Sequence, residues 1–141
     1  MVDVGEKEPV PRRATARGTL VLQRATVEAI ARGSVPKGDV LTVARVAAIQ
    51  AVKETPRLLP LCHPIPISGI DVDLVPRGDR VEATVTVSAT YRTGVEMEAL
   101  VGVTAALLCV WDMVKPLEKD AGGQYPTAKL TDVRVVEKRK G

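Results

Sequence analysis

Thirteen consecutive residues without a charge, ALVGVTAALLCVW, separate Glu98 from Asp112. A helix predicted from about Val95 to Leu117 carries these residues on every face of its cylinder and not on one stripe. One such face packs on a sheet, but the remaining apolar surface needs a second cover. In a chain of 141 residues the simplest cover is an identical subunit, so we expect a homo-oligomer.

Alternation of apolar with polar residues predicts strands on both sides of this helix. Four segments have this period of two, which is typical of half-buried strands: 12–23, 69–76, 80–91 and 132–137. The second and third segments flank PRGD, a proline-glycine turn sequence. We therefore expect them to pair as an antiparallel hairpin.

Two shorter helices are predicted between the first strand and the hairpin. The segment RATVEAIARG ends at Gly33, a residue type favoured just past a helix end because it accepts positive φ. Asp39 has the side chain to cap a helix over residues 40–54, which Pro56 is expected to end. The order strand, two helices, hairpin, helix, strand predicts an α+β fold. We expect a ferredoxin-like sandwich, an antiparallel sheet with helices packed on one face.

Composition narrows the class of protein. The 141 residues make one ordinary domain, and no uncharged run reaches the roughly 18 residues of a membrane span. The charged N-terminal residues lack the apolar stretch of a secretory signal, so we expect a cytoplasmic protein without a membrane anchor. A net charge of +3 suits an anionic partner, but 2% aromatic residues argue against single-stranded nucleic acid. A compact anion such as a phosphate ester fits better.

The cysteines and the single histidine predict neither a metal site nor a cofactor site. Cys62 and Cys109 lack metal-ligand spacing, and one histidine cannot complete a four-ligand zinc site with them. His63 lies in LPLCHPIPI, where three prolines restrict the backbone. A side chain held on such a stiff segment is favoured as a functional group. Adjacent extended residues point to opposite sides, so we expect at most one of Cys62 and His63 to face a cleft, and we favour His63. The alternative is an imidazole satisfied by a backbone carbonyl.

A second group of candidate residues lies near the end of the long helix. Asp112 and Lys115 are about one turn apart, and Glu98 is offset from Asp112 by roughly 40° around the axis. All three are expected to look toward one cleft, although a surface ion pair is the alternative for the first two. Lys37 precedes a predicted helix start, where a cation is unfavourable unless an anion joins it. Its alternative is an exposed loop lysine.

Thr93 and Glu96 have the spacing of a capping box, and on local evidence alone that structural interpretation is favoured.

Three separated stretches carry a resemblance to a known family: MVDVGEKEPVPRRATARG, KGDVLTVARVAAIQAVKETPRLLPLCHPIPIS and TGVEMEALVGVTAALLCVWDMVKPLEKD. In this order they resemble the cyclic pyranopterin monophosphate synthases, the molybdenum cofactor biosynthesis protein C family. The resemblance runs from Val2 to about Lys138. It implies a ferredoxin-like fold and a hexamer built as a trimer of dimers, with active sites at the dimer interface.

The resemblance also implies a reaction. The family converts 3′,8-cyclo-7,8-dihydroguanosine 5′-triphosphate into cyclic pyranopterin monophosphate and pyrophosphate, with no cofactor. Ring opening and closure need proton donors and acceptors, and the triphosphate needs cations. By motif, the resemblance implies that the catalytic residues are Lys37, Asp112 and Lys115. It implies that the pocket is formed by Cys62, His63, Glu96, Met97 and Glu98, with Arg12 and Arg13 as weaker candidates for the triphosphate.

Two departures from the family pattern limit this transfer. Val114 stands where many members have a cysteine, so no thiol is required there. The chain ends in VEKRKG, where many members continue into a glycine loop of the type SGGKSG. The lysine of that loop is therefore missing, or is replaced by Lys138 or Lys140.

Two other kinds of protein remain as alternatives. A non-catalytic basic ferredoxin-like module would bind RNA or an acidic protein with strong salt dependence, and Asp112→Asn would not weaken that binding. A structural subunit would lend its interface to another enzyme and would show no turnover when purified alone.

Overall fold

The computed structural model describes residues 1–141, and its elements follow one another in the order that the sequence predicts. They are β1 (Val10–Val21), α1 (Arg24–Arg32), α2 (Val40–Leu58), β2 (Ile67–Arg77), β3 (Arg80–Tyr91), α3 (Glu96–Glu118) and β4 (Lys129–Lys140). The four strands form one antiparallel sheet in the order β2-β3-β1-β4. The predicted α+β, ferredoxin-like arrangement is confirmed.

The alternation in β3 shows how the pattern becomes a layered core. Its apolar residues are at most 3% exposed and face the helices: Val81, Ala83, Val85, Val87 and Ala89. The residues between them are only partly buried and lie on the opposite, polar face of the sheet. On that face the Thr15 and Thr86 hydroxyls are 2.9 Å apart, across the β1–β3 pair. Burial of one face of the sheet fixes the register of the strands.

Two glycines allow α3 to approach its neighbours closely. A Cβ at Gly18 on β1 would lie 2.7 Å from Cγ1 of Val103 on α3. A Cβ at Gly102 on α3 would lie 2.8 Å from Cγ2 of Val52 on α2. Both distances are shorter than carbon atoms tolerate, so a larger side chain at either position would push α3 away from the core.

The helix starts and stops follow local chemistry with one exception. Gly33 closes α1 at φ 68°, and Asp39 caps α2 by accepting the Thr42 N–H at 3.1 Å, as predicted. The prediction that Pro56 ends α2 is wrong, because the helix continues to Leu58. A proline removes one helical hydrogen bond but has a helical φ, and near the end of a helix that loss is tolerated.

The outer strands are longer than their alternation indicated. β4 begins at Lys129 and ends at Lys140, whereas the pattern predicted residues 132–137. Its length follows from pairing with nearly all of β1, from Val21 opposite Lys129 to Arg12 opposite Lys140, across two register shifts.

One helix, α3, has the length and composition of a membrane-crossing helix, with a mean hydropathy of 1.7 over its most apolar window. Of that window, 56% is buried inside the fold. The core helix of a soluble protein has the same properties, so this is weak evidence for a membrane span.

Candidate functional site

Two lysines surround one aspartate at the C-terminal end of α3, and we call Lys37, Asp112 and Lys115 the lysine–aspartate cluster. Lys115 Nζ lies 2.9 Å from Asp112 Oδ1, one helical turn away. Lys37 Nζ donates to the Asp112 backbone carbonyl at 3.0 Å and to Oδ2 at 3.4 Å. The structure thus brings together Lys37, Asp112 and Lys115, the three residues that the resemblance predicts to be catalytic.

The charges in this cluster fix its protonation. The hydrogen bond and charge of Lys115, followed by those of Lys37, lower the pKa of Asp112 below its usual range. Asp112 in turn raises the pKa of Lys115. The cluster combines one acidic and two basic side chains, and its net positive charge attracts an anion. The Asp112 side chain is 61% exposed, so these ion pairs contribute little to stability.

The loop between α1 and α2 brings Lys37 to the cluster. Val35 and Val40 on either side of it are buried, at 5% and 3% exposure, and anchor the loop to the core. Gly38 has a φ of 116°, which only glycine adopts readily, and it completes the turn before α2. A cation before a helix start was expected to need a neighbouring anion, and for Lys37 that anion is the Asp112 carboxylate.

A cavity of about 530 Å³ lies at the opposite end of α3, and we call it the His63 pocket. It is lined by Met1, Val2, Val4, Lys7, Arg12, Leu61, Cys62, His63, Ile65, Thr93, Gly94, Glu96, Met97, Glu98 and Lys138. His63 Nε2 lies 2.7 Å from the Val2 carbonyl oxygen, so the backbone partner left open by the sequence is present. The same ring lines the cavity.

Cys62 and His63 both line this pocket, so the expectation that only one of them faces a cleft is wrong. The backbone there is not an extended strand, because the Cys62 N–H bonds the Leu59 carbonyl in a turn. Burial, with a smaller effect of the Glu98 charge, raises the pKa of the Cys62 thiol. Glu98 is 3% exposed, and burial raises its pKa as well. In both groups burial thus acts against the charged form.

Basic side chains give the pocket its positive charge. Lys138 pairs with Glu96 at 2.7 Å, and the Arg12 guanidinium is held by the carbonyls of Tyr91 and Arg92 at 3.4 and 3.3 Å. Lys138 is thus the tail lysine that lines the pocket.

Two of the candidate side chains lie outside the pocket, and one side chain that was not predicted lies in it. Lys140 and Arg13 do not line the pocket, and Arg13 lies on the opposite face of β1 from Arg12. The sequence reasoning did not single out Lys7, which reaches the pocket from a turn in the N-terminal segment and has no spacing signal.

The capping-box interpretation of Thr93 and Glu96 is wrong. α3 begins at Glu96, and its N-cap residue is Val95, which makes no side-chain capping bond. Thr93 lies two residues before the N-cap residue and does not cap α3, and the Glu96 carboxylate pairs with Lys138 instead.

Within one chain, the His63 pocket and the lysine–aspartate cluster lie far apart. Glu98 and Asp112 share a helix face, but 14 residues of helix separate them by about 21 Å along the axis. Within a single chain these two residues do not meet in one cleft, and that they share a cleft in an assembly stays a prediction. Between them an apolar groove of about 420 Å³ runs along α2 and α3, and its lining includes Leu58, Val101 and Leu108.

No group of three or more His, Cys, Asp or Glu side chains is arranged to hold a metal ion. That neither a metal nor a cofactor takes part in the chemistry stays a prediction.

Comparison with known proteins supplies the family. The sequence profile described as the MoaC family matches residues 1–141. A probable cyclic pyranopterin monophosphate synthase of Aeropyrum pernix is 60% identical over 141 residues, which are 100% of this chain and 97% of that protein. Proteins with the same description from Thermococcus kodakarensis and Methanosphaerula palustris are 54% and 55% identical; all of this chain matches 90% and 92% of their lengths.

Proposed function

The chain belongs to the MoaC family, and on that premise we propose that it catalyses the synthesis of cyclic pyranopterin monophosphate in molybdenum cofactor biosynthesis. Its substrate is 3′,8-cyclo-7,8-dihydroguanosine 5′-triphosphate, and pyrophosphate is released. The relatives support this enzyme activity and not the alternative, a non-catalytic binding module. In this proposal residues 1–141 form a single catalytic domain that works in the cytoplasm.

One observation carries the proposal: polar groups suited to this chemistry lie at both ends of one stripe on α3. Residues along the stripe recur at intervals of three and four: Glu98, Val101, Ala105, Leu108 and Asp112. The middle of the stripe is apolar and uncovered, with Leu108 52% exposed. A second surface on the stripe would bury this apolar area.

A second copy of the chain would cover this stripe if its α3 packed antiparallel to the α3 of the first copy. A twofold axis near Ala105, which is midway in sequence between Glu98 and Asp112, would set each end of the stripe against the opposite end of its partner. The His63 pocket of one protomer would then meet the lysine–aspartate cluster of the other. We propose that both complete one active site and that three such dimers form the hexamer.

The protonation states suggest how the two halves divide the work. In the cluster, the Asp112 carboxylate is the candidate proton acceptor and the Lys115 ammonium group the candidate proton donor, and each stabilises the charged form of the other. Glu98 lies in the pocket half, where burial raises the pKa of its carboxyl group. Arg12 and Lys138 bring positive charge for the triphosphate.

The activity is tested by single-turnover release of pyrophosphate from the cyclised nucleotide. Asp112→Asn and Lys115→Ala should each lower the rate by about a hundredfold or more, with folding and assembly preserved. If both variants release pyrophosphate at the parental rate, Asp112 and Lys115 form only a surface ion pair and are not catalytic. Turnover by the purified parent protein would exclude a purely structural subunit.

The shared site is tested by mixing inactive variants. Asp112→Asn and Glu98→Gln damage different halves of the site, so mixed refolding should regenerate about a quarter of the parental sites. The matched control mixes Asp112→Asn with Lys115→Ala, which damage the same half and should stay inactive. If neither mixture recovers activity, the site does not span two protomers.

A further inference from the structure

Two prolines lie inside helices of this fold, each in the last turn: Pro56 in α2 and Pro116 in α3. Proline has no backbone N–H, and its ring crowds the carbonyl group four residues earlier in a helix. For Pro116 that carbonyl belongs to Asp112. The helix therefore loses the donor that normally bonds the Asp112 carbonyl oxygen.

The side chain of Lys37 occupies this position. Its Nζ lies 3.0 Å from the Asp112 carbonyl oxygen and 3.4 Å from the carboxylate oxygen Oδ2. The shorter of these two contacts is thus made to the main chain of α3. Lys37 extends from a loop and its side chain is 44% exposed, so its place beside Asp112 depends on these acceptors.

We propose that Pro116 is a positioning residue: it leaves the Asp112 carbonyl open to the ammonium group of Lys37 and so holds Lys37 in the lysine–aspartate cluster. A carbonyl already bonded by a helical N–H offers a weaker and less accessible acceptor to a side chain. The proposal rests on the proposed function only where turnover is the readout.

Stability and function should move in opposite directions in Pro116→Ala. Alanine restores the helical N–H and is the best helix former, so the variant should melt at the same temperature as the parent or higher. The restored N–H competes with Lys37 for the carbonyl. A proline that serves only to end the helix would give no loss of activity on this replacement.

The direct readout is the titration of the Asp112 carboxyl group, followed by carbon NMR on the full chain. Lys115 is the main cause of its lowered pKa and Lys37 the second, so partial release of Lys37 should raise this pKa. Single-turnover pyrophosphate release should fall about two- to tenfold, the effect of one hydrogen bond. Pro56→Ala, a last-turn proline away from the cluster, is the control and should leave both readouts unchanged.

A double-mutant cycle shows whether the effect passes through Lys37. In a Lys37→Ala background, Pro116→Ala should change neither the Asp112 titration nor the rate any further. An unchanged Asp112 titration in Pro116→Ala, or an equal loss in the Lys37→Ala background, overturns the proposal. The titration needs no turnover, so it decides the role of Pro116 even if parental rates in Asp112→Asn disprove the proposed function.

Discussion

The Glu118 side chain links the end of α3 to the start of α1. Its replacement by alanine should lower the free energy of unfolding more than the loss of any surface charge. Its side chain is fully buried, and its carboxylate accepts the Gln23 N–H at 3.1 and 3.3 Å. The hydroxyl group of Thr26 donates to the same carboxylate. Gln23 is the N-cap residue of α1 but makes no side-chain capping bond, so Glu118 caps that helix from another element.

In Glu118→Ala, the buried Thr26 hydroxyl group and the partly buried Gln23 N–H lose their acceptor. A fully buried unsatisfied group costs about 1–3 kcal/mol and a partly buried one less than the upper end of this range, so the free energy of unfolding should fall by about 2–5 kcal/mol. For a chain of this size the melting temperature should fall by roughly 6–15 °C. Glu118→Gln keeps the volume and one acceptor oxygen, and we expect about a third of that loss.

The assay is thermal unfolding at one fixed protein concentration, because the stability of an oligomer depends on concentration. Glu28→Ala is the matched control, since Glu28 is an exposed glutamate whose ion pair with Arg32 spans 3.9 Å. It should leave the melting temperature nearly unchanged. If Glu118→Ala melts with the control, the carboxylate does not hold the two helices together.

Three further predictions concern the site and the core. In Lys115→Ala, the acidic limb of the residual turnover should move to higher pH, because Lys115 is the main cause of the lowered pKa of Asp112; an unmoved limb would assign that limb to another group. Burial raises the pKa of Glu98 in the folded chain, so its protonated carboxyl group is tolerated in the fold better than its carboxylate. The folded chain is therefore more stable below about pH 4.3, and it loses this stability as the pH rises through the folded pKa of Glu98. Glu98→Gln should therefore gain stability over the parent at about pH 8 but not at about pH 4 in urea unfolding, and a gain independent of pH would contradict this. Gly102→Ala should cost about 1–3 kcal/mol in the same assay because its methyl group would strike Val52, and Val52→Ala should relieve part of that cost; an unchanged midpoint would show that α2 yields freely.

The elements that the sequence predicted well are those whose signal is local. In β3, successive side chains point to opposite faces of the sheet, independently of the strands with which β3 pairs. The buried residues from Val81 to Ala89 follow this alternation. Gly78 has a φ of 60° in the two-residue turn between β2 and β3, a conformation that the turn sequence favours. Neither feature needs information from distant residues.

Boundaries depend on partners that lie far away in sequence, and there the prediction was less accurate. β4 extends to Lys140 because β1 offers a partner along its whole length, a fact absent from the residues of β4. α2 passes Pro56 because the Leu59 N–H still bonds the Thr55 carbonyl at 2.9 Å. Local propensity gives the type of an element, and tertiary contacts decide where it ends.

The candidate site illustrates the same division on a larger scale. Helical periodicity gives the angle between Glu98 and Asp112 around the axis but says nothing about the 21 Å or so between them along it. A single chain with an apolar stripe between two polar ends has no way to bring those ends together, whereas two antiparallel copies bring both pairs together at once. The dimer that we propose would explain both the charge-free run and the separation of the polar residues at its ends. In the dimer that we propose, the apolar residues would make the contact between chains, and the residues at its ends would become neighbours only through that contact.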